Sequence, residues 1–256
     1  MIGPLIGMVH LGPLPGAPRY SGDLAAVTAA ARRDARVLAD AGFDALMVEN
    51  FGDAPFHGDD VPDVTVAALT RCVTAVTEAV DVPVAVNVLR NDALAAVAIA
   101  AATGAAAIRV NVLAGTMFTD QGPLTGKAAE VARLREQLAP GIEILADVHV
   151  KHAVPPAGWS LGDAARDTWE RGGATGLVVS GVGTGHALDP ADLETVAAAV
   201  PDAPLYAGSG VTAASAAALL EHCAGLIVGT AVKVDDITAN PVDPAVAEAF
   251  VKAVRG

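Results

Sequence analysis

Eight short aliphatic runs, each ending in a polar side chain and followed by an amphipathic or alanine-rich segment, constrain this 256-residue chain more than any other feature. They are LIGMVHL, ALMVEN, VPVAVNVL, AIRVN, EILADVHVK, GLVVSG, PLYAGSG and GLIVGTAV. Strand–helix units joined by short loops point to a parallel sheet, and eight of them without a break in composition favour a closed barrel over an open doubly wound sheet. The length agrees with the roughly 250 residues of one such barrel. The expectation is therefore one α/β domain over residues 1–256, a parallel eight-stranded (β/α)8 TIM barrel. Helices are expected over residues 24–41, 63–80, 92–103, 126–138, 160–171, 189–199, 212–220 and 243–254. Asp23 is placed to cap the first and Gly42 to stop it; Asp163, Asp189 and Thr212 lie near later starts, with Pro190 at a first helical position.

In a closed parallel barrel all strand tails meet at one end, and ligands bind there. The tails carry His10, Glu49 with Asn50, Asn87, Arg109 with Asn111, Asp147 with His149 and Lys151, Ser180, Ser209 and Thr230. One pocket should collect them. Three longer loops, at residues 12–22, 51–63 and 113–126, also follow strands and are expected to cover that pocket, the alternative being plain solvated connections.

Composition narrows the surroundings. Hydrophobic residues make up 53% of the chain, yet they are mostly dispersed Ala and Val, and no apolar run approaches the roughly 18 residues of a membrane span. A soluble protein with no membrane insertion is expected. The N-terminus has no basic stretch before its apolar run, which reads as the first strand and not as a signal peptide. Two isolated cysteines, Cys72 and Cys223, argue against a disulfide framework or a structural zinc and make a reducing cytoplasm the default location. A net charge of −13 repels nucleic-acid backbones and anionic lipid, so neither is expected as a partner. Aliphatic helix faces are compatible with a homo-oligomer.

The densest chemistry lies on the fifth run. A strand sends alternate residues to one face, so Asp147, His149 and Lys151 are expected side by side on the inner wall. A lysine partly desolvated in a pocket can lose its proton near neutral pH and act as base or Schiff-base nucleophile. In this reading Asp147 is the general base, Lys151 the electrophile or amine nucleophile, His149 a proton shuttle and Glu49 an alternative acid. The competing reading is a buried hydrogen-bonded layer. Asn87 and Asn111, with either Glu49 or Asn50, form a row of oxygen donors suited to sugar hydroxyls; with Asp147 the row offers ligands to a divalent metal, the less favoured occupant. Arg109 inside the barrel requires an acidic partner such as Glu49 or Asp147, or an anionic ligand. His10 is either a packed wall residue or a functional one.

Glycine marks the last two tails. AGSGV (207–211) and VGTAV (228–232) place Gly208, Ser209, Gly210, Gly229 and Thr230 where many barrels hold a phosphate on backbone N–H groups. The competing reading is relief of crowding. GVGTGHALD (181–189) lacks the third glycine of a dinucleotide fingerprint and reads as a rim loop carrying Thr184 and His186.

The segments IGMVHLGPLPGAP, GFDALMVENFGDAPF, TDQGPLTG and DVHVKHA, in this order over most of the chain, resemble the BtpA/SgcQ family. The resemblance implies a TIM barrel. It also implies kinship with proteins named for photosystem I biogenesis and with sugar-metabolism or nucleosidase-like proteins, without assigned catalytic residues. The functional expectation is an enzyme acting on a small phosphorylated sugar or nucleotide-like metabolite by acid/base chemistry of the lyase, isomerase or nucleosidase kind. The alternative is a non-catalytic assembly factor.

Overall fold

A computed structural model describes residues 2–181 and 188–256. Among them eight parallel strands close into a barrel in chain order: β1 (Leu5–His10), β2 (Ala45–Glu49), β3 (Val84–Asn87), β4 (Ala107–Val110), β5 (Glu143–Val148), β6 (Gly176–Val179), β7 (Leu205–Ala207) and β8 (Gly225–Val228), which pairs back with β1. All eight aliphatic runs are barrel strands. The helices are α1 (Leu24–Ala41), α2 (Asp63–Thr77), α3 (Ala93–Thr103), α4 (Ala128–Leu138), α5 (Leu161–Arg166), which runs into a π turn over Asp167–Arg171, α6 (Pro190–Ala199), α7 (Ala213–Leu220) and α8 (Pro244–Arg255). Asp23 caps α1 by accepting from the Ala26 N–H, and Asp189 and Thr212 cap α6 and α7. On α5 the cap is Ser160, while Asp163 sits in the first turn.

Alternation along each strand builds two cores. Leu5, Val9, Leu46, Val48, Val86, Ile108, Ile144 and Leu177 face outward into the apolar layer shared with the helices. Ile6, Met8, Ala45, Met47, Ala85, Ala107, Leu145, Val178, Tyr206 and Ile227 face inward and fill the barrel below its mouth. The inner filling makes the barrel a packed core with a polar rim and not a pore.

The loop over residues 113–126 departs from its expected form. Thr116–Thr119 and Gly122–Thr125 form a hairpin that pairs with Ala153–Val154 as a small antiparallel sheet. Met117 and Leu124 on its inner face pack with Val112 and Val150, while Phe118 and Val154 are exposed. No helix among the described residues is long and apolar enough to cross a membrane.

The ring of helices is locked by a buried charge pair. Lys233, in the loop between β8 and α8, sits 2.8 Å from Asp34 of α1, whose other oxygen accepts from the Val242 N–H. Burial pulls the Lys233 pKa down, and the Asp34 carboxylate opposes that pull. Removing one partner of a buried pair leaves an uncompensated charge, so Asp34→Ala should lower the unfolding free energy by about 3–5 kcal/mol in urea titration. An unchanged midpoint would show that the pair is not structural.

Candidate functional site

The inward positions of the strands become polar at the C-terminal rim. His10 lies beside Glu49, Glu49 beside Asn87, and Asn87 beside Arg109 in consecutive strand registers. Glu49, Asn87, Arg109, Asn111, Asp147 and Ser180 are all buried there. The expected gathering of tails at one end is present, and the structure sorts the gathered residues into a closed network and an open cavity.

Arg109 and Asp147 form the centre of the network. Arg109 donates from Nε and Nη2 to the two oxygens of Asp147 at 2.9 and 2.7 Å. Asn111 adds a donor at 3.1 Å and the Ser180 hydroxyl another at 3.4 Å. Asn87 spans to β4, donating to the Arg109 carbonyl and to Asn111 Oδ1, while its own Oδ1 has no partner among the described residues. Burial pulls the Arg109 pKa down, but the charge and hydrogen bonds of Asp147 outweigh it and leave the group above its ordinary value. The Asp147 side chain is fully enclosed, and both oxygens are engaged. Of the oxygen donors a divalent cation would use, Glu49 and Asn87 Oδ1 are uncommitted among the described residues, and there no cluster of three or more His, Cys, Asp or Glu side chains fits a metal ion.

The shared face expected for Asp147, His149 and Lys151 does not form, because strand geometry ends at Val148. His149 takes a left-handed backbone (φ 50°), and so does His152 (φ 57°). Asp147 stays in the network. The His149 ring tilts against Trp159 with centroids 5.5 Å apart and lies outside the cavity lining, its pKa lowered by burial and supported by Asp192. Lys151 lines the mouth, and Arg90 donates to its carbonyl oxygen. Burial lowers the Lys151 pKa, Arg109 lowers it further, Glu49 and Asp147 oppose, and Arg90 adds to the depression.

Beside the network lies a cavity of about 330 Å³. Met8, Phe51, Phe56 and Leu89 give it an apolar wall; Glu49, Arg90 and Lys151 give it charge. The Glu49 carboxylate makes no hydrogen bond to another described residue; its ion-pair-range neighbour there is His10 Nε2, at 3.9 Å. Burial holds the His10 pKa well below its ordinary value, with Lys233, Lys151 and Arg109 adding to the effect, so this contact is made by a neutral imidazole and is not an ion pair. Asn50 turns away from the cavity: it accepts from the Leu89 N–H at 2.7 Å and donates to Asp53, clamping the tails of β2 and β3.

Gly208, Ser209, Gly210, Gly229 and Thr230 line the same cavity. Crowding accounts for two of these glycines. A Cβ on Gly208 would lie 2.2 Å from Val178 Cγ1 and 2.6 Å from Ser180 Oγ, and one on Gly229 would lie 2.8 Å from His10 Cε1. Ser209 Oγ accepts from the Gly181 N–H, and the Thr230 hydroxyl meets that of Thr238 at 2.8 Å. Of the long loops, only residues 51–63 line this cavity, through Phe51 and Phe56; Thr184 and His186 lie outside the described residues.

Sequence reasoning missed Arg90 and Asp236. Arg90 follows Asn87 by three residues, a legible position just past a strand tail. Asp236 lines the rim from a loop in which it and Asp235 both adopt left-handed backbones, and no local sequence signal marks it.

Asp147→Asn breaks the bidentate pair and leaves a buried guanidinium poorly matched, a change expected to cost about 3–5 kcal/mol in chemical unfolding. Gly208→Ala should cost about 1–3 kcal/mol by overpacking against Val178. Wild-type stability in both variants would show that the network is not a constraint on the fold.

The BtpA family model matches residues 1–256. An uncharacterized protein of Thermococcus kodakarensis is 48% identical over 93% of this chain and 90% of its own length. The photosystem I biogenesis protein BtpA of Synechocystis sp. is 43% identical over 98% and 88%, and the sgc region protein SgcQ of Escherichia coli 30% over 98% and 94%. Mycobacterium tuberculosis tryptophan synthase superposes with a TM-score of 0.66 at 19% identity, covering 99% of this chain and 93% of that one. For N-acetylmannosamine-6-phosphate 2-epimerase from Clostridium perfringens the values are 0.59, 13%, 97% and 92%. At such identities the structural likeness speaks for the barrel alone. The family match along the whole length, together with relatives at 30–48% identity, makes this chain a member of the BtpA family.

Proposed function

We propose that the protein is an enzyme that holds a small phosphorylated metabolite in the barrel mouth and moves protons on it with Glu49 and Lys151. The supporting observation is that an uncommitted carboxylate and an amine of lowered pKa share one cavity with the glycine-lined tails of β7 and β8. In this reading the phosphate rests on backbone donors of Ser209, Gly210, Gly229 and Thr230, where two neighbouring strand tails lack bulk; the Gly208 N–H already donates to the Val179 carbonyl, so Gly208 contributes only the absence of a side chain. Asn111 and His10 face the rest of the ligand, and Arg90 and Arg109 supply positive potential in an otherwise acidic protein. Asp147 acts as a positioning residue through Arg109 and Asn111, not as the base, because its oxygens are already engaged. The chemistry within reach is proton transfer next to a carbonyl or at a glycosidic carbon, the territory of lyases, isomerases and nucleosidases. The second reading, an assembly factor without turnover, is favoured by the name of the Synechocystis relative.

Screening phosphorylated sugars and nucleosides for turnover separates the two readings. Glu49→Gln and Lys151→Met should each lower turnover by about 10² or more while leaving the melting temperature near wild type. Because burial lowers the Lys151 pKa from 10.5, its neutral form accumulates as pH rises toward that value. Turnover should therefore climb with pH along a limb whose midpoint lies below 10.5. Wild-type turnover in both variants would remove these residues from the mechanism, and absence of any bound phosphorylated compound would favour the assembly factor.

A further inference from the structure

We propose that the Lys151 amine forms a covalent iminium with the carbonyl carbon of an open-chain phosphorylated aldose or ketose, Glu49 relaying the protons. The proposal rests on the reading of the mouth as a site for a phosphorylated metabolite, and it names the substrate class. Two buried lysines in the same protein carry the contrast. Lys233 is neutralised by Asp34 at 2.8 Å, as a structural lysine must be. Lys151 lines the cavity, and among the described residues no side chain accepts a hydrogen bond from its amine. An ammonium kept only for charge would be expected to have a carboxylate in contact.

The backbone is arranged around this one residue. His149 and His152 both occupy the left-handed region, which residues with a Cβ adopt uncommonly and histidine more readily than most. The two bends bring the chain past the end of β5 and place Lys151 at the mouth. The buried Arg90 guanidinium then fixes the Lys151 carbonyl. Arg90 and Arg109 both disfavour a charged amine beside them, which keeps a lone pair available for bonding to carbon. A guanidinium cannot serve in this way, so Arg in place of Lys151 retains charge and length but loses the nucleophile.

The step balances without an oxidant or reductant. The amine lone pair bonds to the carbonyl carbon while the π electrons pass to oxygen, which takes a proton through Glu49. One nitrogen proton passes to Glu49 and from there to the new hydroxyl, which leaves as water as the C=N bond forms. The positively charged iminium draws electrons from the adjacent carbon, so a C–H or C–C bond there can break. Water adds back to release the product and the amine. With the phosphate on the glycine-lined tails, the carbonyl of an open-chain sugar phosphate lies in the same cavity that Lys151 lines.

The test uses the full chain, sodium borohydride and three probes: dihydroxyacetone phosphate, glyceraldehyde 3-phosphate and ribose 5-phosphate. At least one should give a reduced adduct, read by intact mass and mapped to the Lys151 peptide, at least tenfold above the adduct on Lys252. Inorganic phosphate should suppress it, and Lys151→Arg, folded as judged by circular dichroism, should lose it. No Lys151 adduct from any of the three, or labelling equal to that of Lys252, would overturn the proposal. Calorimetry on the same probes separates the two failures. Binding without an adduct leaves the phosphorylated-metabolite reading standing and removes the covalent step, whereas neither binding nor adduct removes both.

Discussion

A guanidinium inside a barrel has to be matched where it stands, because leaving it unpaired in a low-dielectric interior costs several kcal/mol. Arg109 meets that demand with Asp147 on the neighbouring strand, and the rest of the rim follows from the pair. Asn111 and Ser180 complete the carboxylate, and Asn87 ties β3 to β4. The tails of β3 to β6 are filled by this network. Gly208 is required by Val178 and by this network together, since a Cβ there would lie 2.2 Å from Val178 Cγ1, 2.6 Å from Ser180 Oγ and 3.3 Å from Arg109 Nη2. Crowding against Val178 and the network at Gly208, and against His10 at Gly229, leaves the tails of β7 and β8 without bulk, and the cavity is lined on that side by their backbone.

Charge distribution follows the same division. The chain carries a net charge of −13, yet the mouth brings together Arg90, Arg109 and Lys151 against Glu49 and the buried Asp147. His10 contributes no charge, because burial and the neighbouring cations keep it neutral. Local positive potential in a cleft concentrates small anions even on an acidic protein. The pairing of Arg109 leaves Arg90 and Lys151 as the cations that face a ligand, and both are held by the loops after β3 and β5 and not by the strands themselves.

The barrel was legible because its signal is periodic: buried strands read as short aliphatic runs, helices as longer segments with caps, and the count of eight was open to inspection. The gathering of tails at one end followed from parallel topology alone. The site was legible as a set of residues and less so as an arrangement. Alternation predicts that Asp147, His149 and Lys151 share a face only while the backbone stays extended, and nothing in DVHVKH announces two left-handed histidines. Asn50 belonged to the same tail as Glu49, but its amide bonds to Asp53, three residues on, and to Leu89, 39 residues away, and the second of these depends on tertiary contact. The hairpin at Thr116–Thr125 read as loop because its strands are short and find their third partner only at Ala153–Val154. Tertiary contact decided each of these points, and local pattern could not.

The most direct measurement is a crystal structure of the protein soaked with a phosphorylated open-chain sugar. The account predicts the phosphorus over the backbone of Gly208–Gly210 and Gly229–Thr230, the carbonyl carbon within bonding reach of Lys151 Nζ, and the Arg109–Asp147 pair undisturbed. A phosphate seated on Arg90 and Lys151 with the glycine-lined tails bare, or a ligand held outside the barrel mouth, would contradict it.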